Sequence, residues 1–188
     1  MNRSTALLLI DVQQGLDEAY YGTRNNPGAE QVLARVLAAW RERGWPVFHL
    51  QHLSLEPDSP LRPERPGVAI KPEVRPLPGE PLFQKHVNSG FIGTDLEARL
   101  RAAGITHLVV GGLTTEHCVS TTVRMAANLG FEVTLLADGT AGFGHTGPDG
   151  RAWSAEEIHS ATLATLHGEF ATVRTAGDVL AAAEQRSA

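Results

Sequence analysis

The chain has 188 residues, of which 42% are hydrophobic, 20% charged and 6% aromatic, a composition that excludes disordered and fibrous proteins. Its 16 basic and 21 acidic side chains give a net charge of −5, so we expect no nucleic acid partner. One cysteine excludes an internal disulfide, and no apolar run has the length of a membrane span or a signal sequence. We therefore expect a cytoplasmic protein with no membrane partner, in which residues 1–188 form a single domain.

The first part of the chain alternates between strand and helix signals. Residues 6–10 are a continuous apolar run, typical of a strand that is buried on both faces, and Asp11 follows at its carboxyl end. Asn26 before Pro27 predicts the N-cap of a helix that ends at Gly44. Residues 46–50 predict the second strand.

Residues 53–81 are rich in proline. This segment holds eight of the chain's 11 prolines, which excludes most regular helix and central strand. We expect a long ordered loop or arm, and loops of this length usually have a function or form contacts between subunits.

The second half of the chain continues the alternation. Apolar runs predict strands at residues 82–85, 107–112, 132–137 and 170–173. Helices are predicted at 94–104 and 154–166, each opened by a capping box (Thr94 with Glu97, Ser154 with Glu157), at 116–129, and from 175 onward. The glycine-rich residues 138–144 predict a flexible loop at a site rather than a core element.

The order of these elements predicts an α/β fold. Strands that alternate with helices form a doubly wound, mostly parallel sheet, here of about six strands, with helices on both faces in a three-layer αβα arrangement. Ligands bind beyond the carboxyl ends of such strands. Asp11, Lys85 and residues 113–118 all follow strand ends, and Lys85 would lie near Cys118 if its strand pairs next to the first strand.

Three of these residues could take part in catalysis, and each could also have an ordinary structural role. Cys118 lies in the first turn of a predicted helix, where the helix dipole favours the thiolate; it could equally be a small buried hydrophobic residue. Lys85 would lower the pKa of a nearby thiol, or be a surface lysine. Asp11 could accept a proton from the thiol, or cap a turn.

The three residues lie in sequence blocks that resemble the isochorismatase-like cysteine hydrolases, a family that includes nicotinamidases and N-carbamoylsarcosine amidases. The blocks are 9–13, which contains Asp11; Lys85 with 88–91 and 93–96; 112–119, which contains Cys118; and 130–139. The match extends over nearly the whole chain, and several blocks in register are more specific than any one of them.

The resemblance implies a catalytic triad. Asp11 would take the thiol proton, Lys85 would stabilise the thiolate and the aspartate, and Cys118 would attack a carbonyl carbon to form a thioester. It also implies a cis peptide bond between Leu113 and Thr114, and an oxyanion hole made by the backbone N–H groups of Thr114 and Cys118. The implied substrate is a small amide, carbamoyl or lactam compound, hydrolysed without a cofactor by a homodimer or homotetramer in which residues 53–81 could form a contact.

The sequence departs from nicotinamidases at their metal site. They carry an Asp-x-His pair where this chain has His52-Leu53-Ser54, and His49 and His52 would point to opposite faces of a strand, so we expect no metal. We therefore expect His49 to be a core histidine and His52 to be a hydrogen-bond donor in the pocket. Relatives commonly have an aromatic residue at the position of Leu16, which suggests a differently shaped pocket floor.

The remaining expectations concern the pocket and the other histidines. The residues proposed to bind substrate are Gln13, Leu16, His52, Phe91 and Phe143. Five further histidines do not have the spacing of metal ligands, and we expect them at surface or capping positions: His86, His117, His145, His159 and His167. Other functions remain open: lactam opening like that of streptothricin hydrolase, nicotinamidase or isochorismatase activity, and a thiol-redox or ligand-binding role without catalysis.

Overall fold

The computed structural model describes Met1 and residues 3–184. Its strands, in chain order, are β1 (Thr5–Ile10), β2 (Val47–His52), β3 (Leu82–Lys85), β4 (His107–Leu113), β5 (Glu132–Ala141), β6 (His145–Thr146), β7 (Ala152–Trp153) and β8 (Thr172–Arg174). Six of them form a parallel sheet with the order β3-β2-β1-β4-β5-β8, while β6 and β7 form a small antiparallel hairpin. The predicted α/β class and the number of strands in the main sheet are confirmed.

The helices cover both faces of this sheet. They are α1 (Ala29–Glu42), α2 (Leu96–Ala102), α3 (Ser120–Asn128), α4 (Ala155–Leu166) and α5 (Ala176–Glu184), and a π-helical turn over Thr115–Val119 precedes α3. Successive residues of β1 face opposite sides, so Leu7 and Leu9 pack with α1 and α5, whereas Leu8 and Ile10 pack with α2, α3 and α4. This arrangement gives the predicted three layers. None of the described helices is long and apolar enough to cross a membrane.

Two of the predicted helix starts are wrong. The N-cap of α1 is Gly28, because the Asn26 side chain instead donates hydrogen bonds to the carbonyls of Ala137 (3.0 Å) and Thr140 (2.8 Å). The N-cap of α2 is Asp95, and the Thr94 hydroxyl donates to the Gly90 carbonyl at 2.6 Å. Asn26 thus bonds to a distant strand rather than to its own helix, whereas the Thr94 hydroxyl both donates to Gly90 and accepts from the N–H of Leu96, the first residue of α2, at 3.3 Å.

The capping box at α4 is confirmed. The Ser154 hydroxyl accepts from the N–H of Glu157 at 3.2 Å, and the Glu157 carboxylate accepts from the N–H of Ser154 at 2.8 Å. The last strand begins at Thr172, two residues later than predicted.

The glycine-rich segment after the predicted fifth strand is part of that strand. β5 runs on to Ala141, and Thr140 and Ala141 are completely buried, so the predicted flexible site loop at 138–144 is wrong for its first half. A register shift between Val110 and Gly112 lets β4 and β5 stay paired to their ends. The shift carries β5 as far as the carboxyl end of β4, where the candidate site lies.

Residues 53–81 form an ordered loop rather than an arm. Their only helical elements are short 3-10 turns at Pro66–Val68 and Pro72–Val74. The loop packs on its own chain: Lys71 is 5% exposed, and its Nζ lies 2.5 Å from Glu30 Oε1 and 2.6 Å from Asp17 Oδ1. The pair with Glu30 is buried, whereas Asp17 is mostly exposed, and the two pairs tie the loop to α1 and to the turn after β1.

Candidate active site

Asp11 lies at the carboxyl end of the central strand. β1 has β2 on one side and β4 on the other, and the chain turns sharply after Ile10 because Asp11 has a φ of 51°, in the left-handed region. The Asp11 carboxylate is 2% exposed. Its Oδ2 accepts a hydrogen bond, whereas its Oδ1 is buried and has no hydrogen-bond partner among the described residues. A buried oxygen without a donor is available to accept a proton.

Lys85 reaches Asp11 from an edge strand. Pairing next to the first strand, the condition under which Lys85 would lie near Cys118, is not met, because β3 pairs with β2, in the register His52 to Lys85, and β2 separates it from β1. The long side chain spans this distance: Lys85 Nζ lies 2.5 Å from Asp11 Oδ2 and 3.4 Å from His52 Nδ1. The Lys85 side chain is completely buried, which excludes the surface-lysine explanation.

Cys118 lies in the π-helical turn that follows β4. Its Sγ lies within 4.8 Å of both an Asp11 carboxylate oxygen and a His52 ring nitrogen. The turn is closed by hydrogen bonds from the N–H groups of His117 (3.2 Å) and Val119 (3.1 Å) to the Thr114 carbonyl, and the peptide bond between Leu113 and Thr114 is cis. The fold therefore brings a thiol, a carboxylate and an ammonium group together at one edge of the sheet.

The surroundings of Cys118 oppose the thiolate that its place at a helix start favours. Burial raises the pKa of the Cys118 thiol, and the negative charge of Asp11 raises this pKa further, while the positive charge of Lys85 lowers it in part. Burial, aided by Lys85, also lowers the pKa of His52, which keeps its imidazole neutral near neutral pH. Burial and the charge of Asp11 thus favour the protonated form of Cys118.

A cavity of about 160 Å³ opens in front of Cys118. It is lined by Asp11, Leu16, Tyr21, His52, Leu61, Asn88, Leu113, Thr114, His117 and Cys118. Leu16 and His52, both expected to contact a substrate, lie in this wall.

Three other residues expected to bind substrate do not line the cavity. Gln13 is completely buried, and its side-chain amide bonds to the backbone of His52 and Val68, which joins β2 to the proline-rich loop. Phe143 packs against Tyr21, with ring centroids 5.4 Å apart, and Phe91 stacks on Phe131 at 6.1 Å. The two phenylalanines thus pack into hydrophobic clusters, and the amide of Gln13 is used by backbone groups, so the expectation that these three residues line the pocket is wrong.

Several wall residues were not predicted. Leu61 comes from the proline-rich loop, and Tyr21 from a 3-10 turn after β1. His117 was assigned to the surface; it is exposed, yet it also borders the cavity. Its place directly before Cys118 was the one signal in the sequence that could have identified it.

Two other histidines can be compared with their predictions. His49 is a core histidine, as predicted: it is 1% exposed and bonds to Glu80 Oε2 at 2.9 Å. His159 is 5% exposed rather than a surface residue, and its Nδ1 lies 2.9 Å from the Thr115 hydroxyl. It thereby supports the turn that carries Cys118.

The fold also assembles groups of metal-binding side chains that have no ligand spacing in the sequence. One group is Asp11, His52 and Cys118, the centre of the candidate site. The other is Glu116, His117 and His145, beside the cavity. In each group the ligand atoms lie within 4.8 Å of one another, although the sequence indicated no metal site.

The chain is similar to known proteins along nearly its whole length. The isochorismatase domain model matches residues 5–178. The isochorismatase family protein YrdC of Bacillus subtilis is 46% identical over 180 residues, which make up 96% of this chain and 96% of YrdC. A crystal structure of an isochorismatase-family hydrolase from Chromobacterium violaceum is 51% identical, has a TM-score of 0.92, and the match covers 96% of this chain and 94% of that one.

Two further relatives have names that specify a reaction. Streptothricin hydrolase of Streptomyces noursei is 39% identical over 139 residues, which make up 72% of this chain and 49% of that enzyme. Ureidoacrylate amidohydrolase RutB of Variovorax paradoxus is 30% identical over 171 residues, with 72% of this chain and 68% of that enzyme covered.

Proposed function

Because this chain belongs to the isochorismatase family of hydrolases, we propose that it hydrolyses the C–N bond of a small amide, carbamoyl or lactam compound through a thioester on Cys118. One observation carries the proposal: the Cys118 thiol shares a cavity wall with the buried Asp11 carboxylate, whose other oxygen is held by Lys85. Amide hydrolysis is also the reaction in the name of the relative RutB.

The first half of the reaction forms the thioester. The Cys118 thiol gives its proton to Asp11 as the sulfur attacks the carbonyl carbon, which produces a tetrahedral intermediate with a negatively charged oxygen. The backbone N–H groups of Thr114 and Cys118 are proposed to donate hydrogen bonds to this oxygen. Asp11 then returns the proton to the departing nitrogen as the C–N bond breaks, so the amine leaves neutral.

The second half releases the acid. A water molecule gives a proton to Asp11 while its oxygen attacks the thioester carbon, and the same N–H groups receive the second oxyanion. The C–S bond then breaks, the sulfur regains a proton from Asp11, and the site returns to its starting state. Cys118 supplies the nucleophile and Asp11 the base, so the proposed chemical step needs no metal or cofactor.

Lys85 makes this proton transfer possible. A buried carboxylate without a cation takes up a proton readily, because burial disfavours its charged form. The ammonium group 2.5 Å from Asp11 Oδ2 opposes that effect and keeps Asp11 ready to accept the thiol proton. It also lowers the pKa of Cys118, against the larger effect of burial.

The size of the cavity indicates the kind of substrate. Pockets for drug-sized ligands have volumes of about 300–1,000 Å³, and this one is about 160 Å³, so the scissile amide belongs to a small molecule or to a small end group that enters the cavity. The cavity wall combines apolar side chains such as Leu16 and Leu61 with polar ones such as Asn88. A substrate with one apolar part and one polar group fits this wall.

The alternative of a thiol-redox sensor is less well supported. Cysteines that sense oxidants have a low pKa, because the thiolate is the reactive form. In this site burial and Asp11 raise the pKa of Cys118 instead. The features favour a nucleophile that is deprotonated only during attack.

The proposal is tested with a panel of small amides, ureas and lactams, including nicotinamide and a streptothricin-type lactam, assayed for release of ammonia or amine. We expect turnover of at least one compound by the wild-type protein and none by Cys118→Ala. Ser120→Ala, a change of one atom two residues away from the nucleophile, is the matched control. Hydroxylamine added during turnover should yield the hydroxamate of the acyl group, because it intercepts a thioester.

Two results would overturn the proposal. Hydrolysis by Cys118→Ala at the wild-type rate would show that the thiol is not the nucleophile. Turnover without hydroxamate, and without any mass increase on the intact protein, would exclude an acyl-enzyme. The chain has a single cysteine, so a mass increase that is lost in Cys118→Ala is assigned without ambiguity.

A further inference from the structure

A second group of chemically competent side chains lies beside the cavity. Glu116 and His117 belong to the π-helical turn, and His145 comes from β6. Glu116 Oε1 lies 3.3 Å from His145 Nε2, the two imidazole rings meet edge to face with centroids 5.2 Å apart, and one ligand atom from each residue lies within 4.8 Å of the other two. Two imidazoles and a carboxylate at such distances are a donor set that binds divalent transition metals.

The Glu116 carboxylate is unusual for a group of its charge. Its side chain is only 8% exposed, yet within residues 3–184 it forms no ion pair with a lysine or arginine, and its one ionic contact is with His145. Oε1 accepts a hydrogen bond from the N–H of Phe143 at 3.2 Å, whereas the buried Oε2 has no hydrogen-bond partner in this part of the chain. Burying a carboxylate costs free energy unless a cation or donors compensate it.

Gly142 leaves room for this carboxylate. A Cβ at position 142 would lie 2.6 Å from Glu116 Oε2, too close for any side chain to be accepted without movement. The backbone thus makes space for a carboxylate that forms no ion pair with a lysine or arginine of residues 3–184. A buried carboxylate oxygen without a donor, beside two imidazoles, suits the binding of a cation.

We propose that Glu116, His117 and His145 form a binding site for a divalent transition metal ion of the Zn²⁺ type. Three protein ligands leave at least one coordination position for water or another small ligand, as in zinc sites that are open to solvent. His117 belongs both to this group and to the cavity wall, so a bound ion would be adjacent to the substrate space. The ion takes no part in the thioester chemistry, which relies on Asp11, Lys85 and Cys118.

The test must separate this site from the other group of possible ligands. We therefore use Cys118→Ala as the background, because it removes the thiol from the group of Asp11, His52 and Cys118. Zn²⁺ binding is measured by isothermal titration calorimetry at neutral pH, and Co²⁺ binding by its visible absorption, which reports coordination number. Neither readout depends on activity.

We expect the Cys118→Ala protein to bind one equivalent of Zn²⁺ and to give a Co²⁺ spectrum. Adding His145→Ala should weaken Zn²⁺ binding by about tenfold or more, because loss of even an outer-shell partner costs roughly 10–100-fold. Adding His86→Ala, which removes another exposed histidine outside the group, should leave affinity unchanged. Circular dichroism and thermal melts verify that each variant is folded.

Three outcomes would overturn the proposal. The Cys118→Ala protein could fail to bind Zn²⁺, which would assign any wild-type binding to the catalytic group. His145→Ala and His86→Ala could weaken binding equally, which would indicate non-specific coordination by surface histidines. Finally, Glu116→Gln, which keeps the shape of the side chain but removes its charge, could bind Zn²⁺ as tightly as its parent.

Discussion

Lys85 and Asp11 form an ion pair that is almost completely shielded from solvent, with Lys85 Nζ 2.5 Å from Asp11 Oδ2 and exposures of 0% and 2% for the two side chains. The residues are 74 positions apart in the chain and come from strands that are not neighbours. The pair connects the edge of the sheet to its centre. It also leaves Asp11 Oδ1 without a hydrogen bond among the described residues, and a carboxylate oxygen of Asp11 lies within 4.8 Å of Cys118 Sγ.

Removing one member of this pair should harm both stability and activity. Lys85→Met leaves the Asp11 carboxylate buried without a cation, and breaking a buried pair in this way costs about 3–5 kcal/mol. We expect the free energy of unfolding in urea to fall accordingly, and kcat/KM to drop by about a thousandfold or more, since residues of a triad act as a unit.

The control for this prediction is a second buried lysine. Lys71→Met breaks the pair with Glu30 and should also lower stability, but the folded protein should keep most of its activity. The double variant Asp11→Asn with Lys85→Met should regain stability and remain inactive. If Lys85→Met kept near wild-type activity, the assigned role of Lys85 would be wrong.

The raised pKa of Cys118 predicts how its reactivity depends on pH. The rate of alkylation by iodoacetamide should keep rising above the pKa of a free thiol, about 8.5, rather than level off below it. Asp11→Asn should shift the profile to lower pH, because the charge of Asp11 raises the pKa of the thiol, and Lys85→Met should shift it to higher pH. Intact-protein mass spectrometry follows the reaction; a plateau below neutral pH would contradict this account.

From three histidines, of which His49 and His159 are buried and His52 is half-buried, we expect a loss of stability in mild acid. Burial lowers the pKa of His49, His52 and His159 below the value of about 6.5 that they have in the unfolded chain. The unfolded state therefore binds protons first as the pH falls below about 6.5, and stability decreases until the lower folded-state pKa values are passed. Each histidine contributes at most about 1.4 kcal/mol per pH unit.

At still lower pH, the loss of stability comes from carboxylates. Hydrogen bonds and ion pairs, acting against burial, lower the pKa of Glu30 and Glu80 to about 2, so their contribution is lost only as the pH falls from about 4.5 toward 2. Urea unfolding between about pH 6.5 and 4.5 isolates the contribution of the histidines to stability. His159→Gln should reduce the dependence of the unfolding free energy on pH in this range. A stability that is constant from neutral pH down to this region would refute the prediction.

In the proline-rich loop, Gly67 is a position where we expect even a small substitution to lower stability. A Cβ at this position would lie 2.7 Å from the Pro60 carbonyl oxygen and 2.8 Å from the Gly15 Cα, and these two residues directly precede Leu61 and Leu16 of the cavity wall. We expect Gly67→Ala to lower the free energy of unfolding by about 1–3 kcal/mol and to raise KM through Leu61. Gly28→Ala, which enters open space at a φ of −95°, is the matched control and should have little effect.

The oligomeric state remains a prediction. We propose a homodimer or homotetramer that uses the proline-rich loop, in which Leu55 is 69% and Leu77 is 51% exposed. Light scattering should give a mass above that of the monomer, and Leu55→Glu should lower it. Ile92→Glu, at an apolar residue of similar exposure outside the loop, is the control. A monomer at every concentration would exclude this assembly.

The sequence alone predicted much of this protein because some of its signals are local. Continuous apolar runs identify buried parallel strands, whatever their neighbours, and so predicted the α/β class and the position of Asp11 at the end of β1. The Ser154 capping box was also predictable, because its donors and acceptors lie within one turn. The blocks around Asp11, Lys85 and Cys118 pointed to the family in the same way.

Only the tertiary structure decided the features that depend on distant contacts. The strand order placed β3 beside β2, and the reach of the Lys85 side chain, not strand pairing, brought it to Asp11. Burial and the charge of Asp11 raise the pKa of Cys118, against the effect expected from its place at a helix start. Sequence pattern and spacing report interactions between residues that are close together in the chain. Dielectric environment, charge partners and cavity walls instead depend on which distant residues the fold brings together.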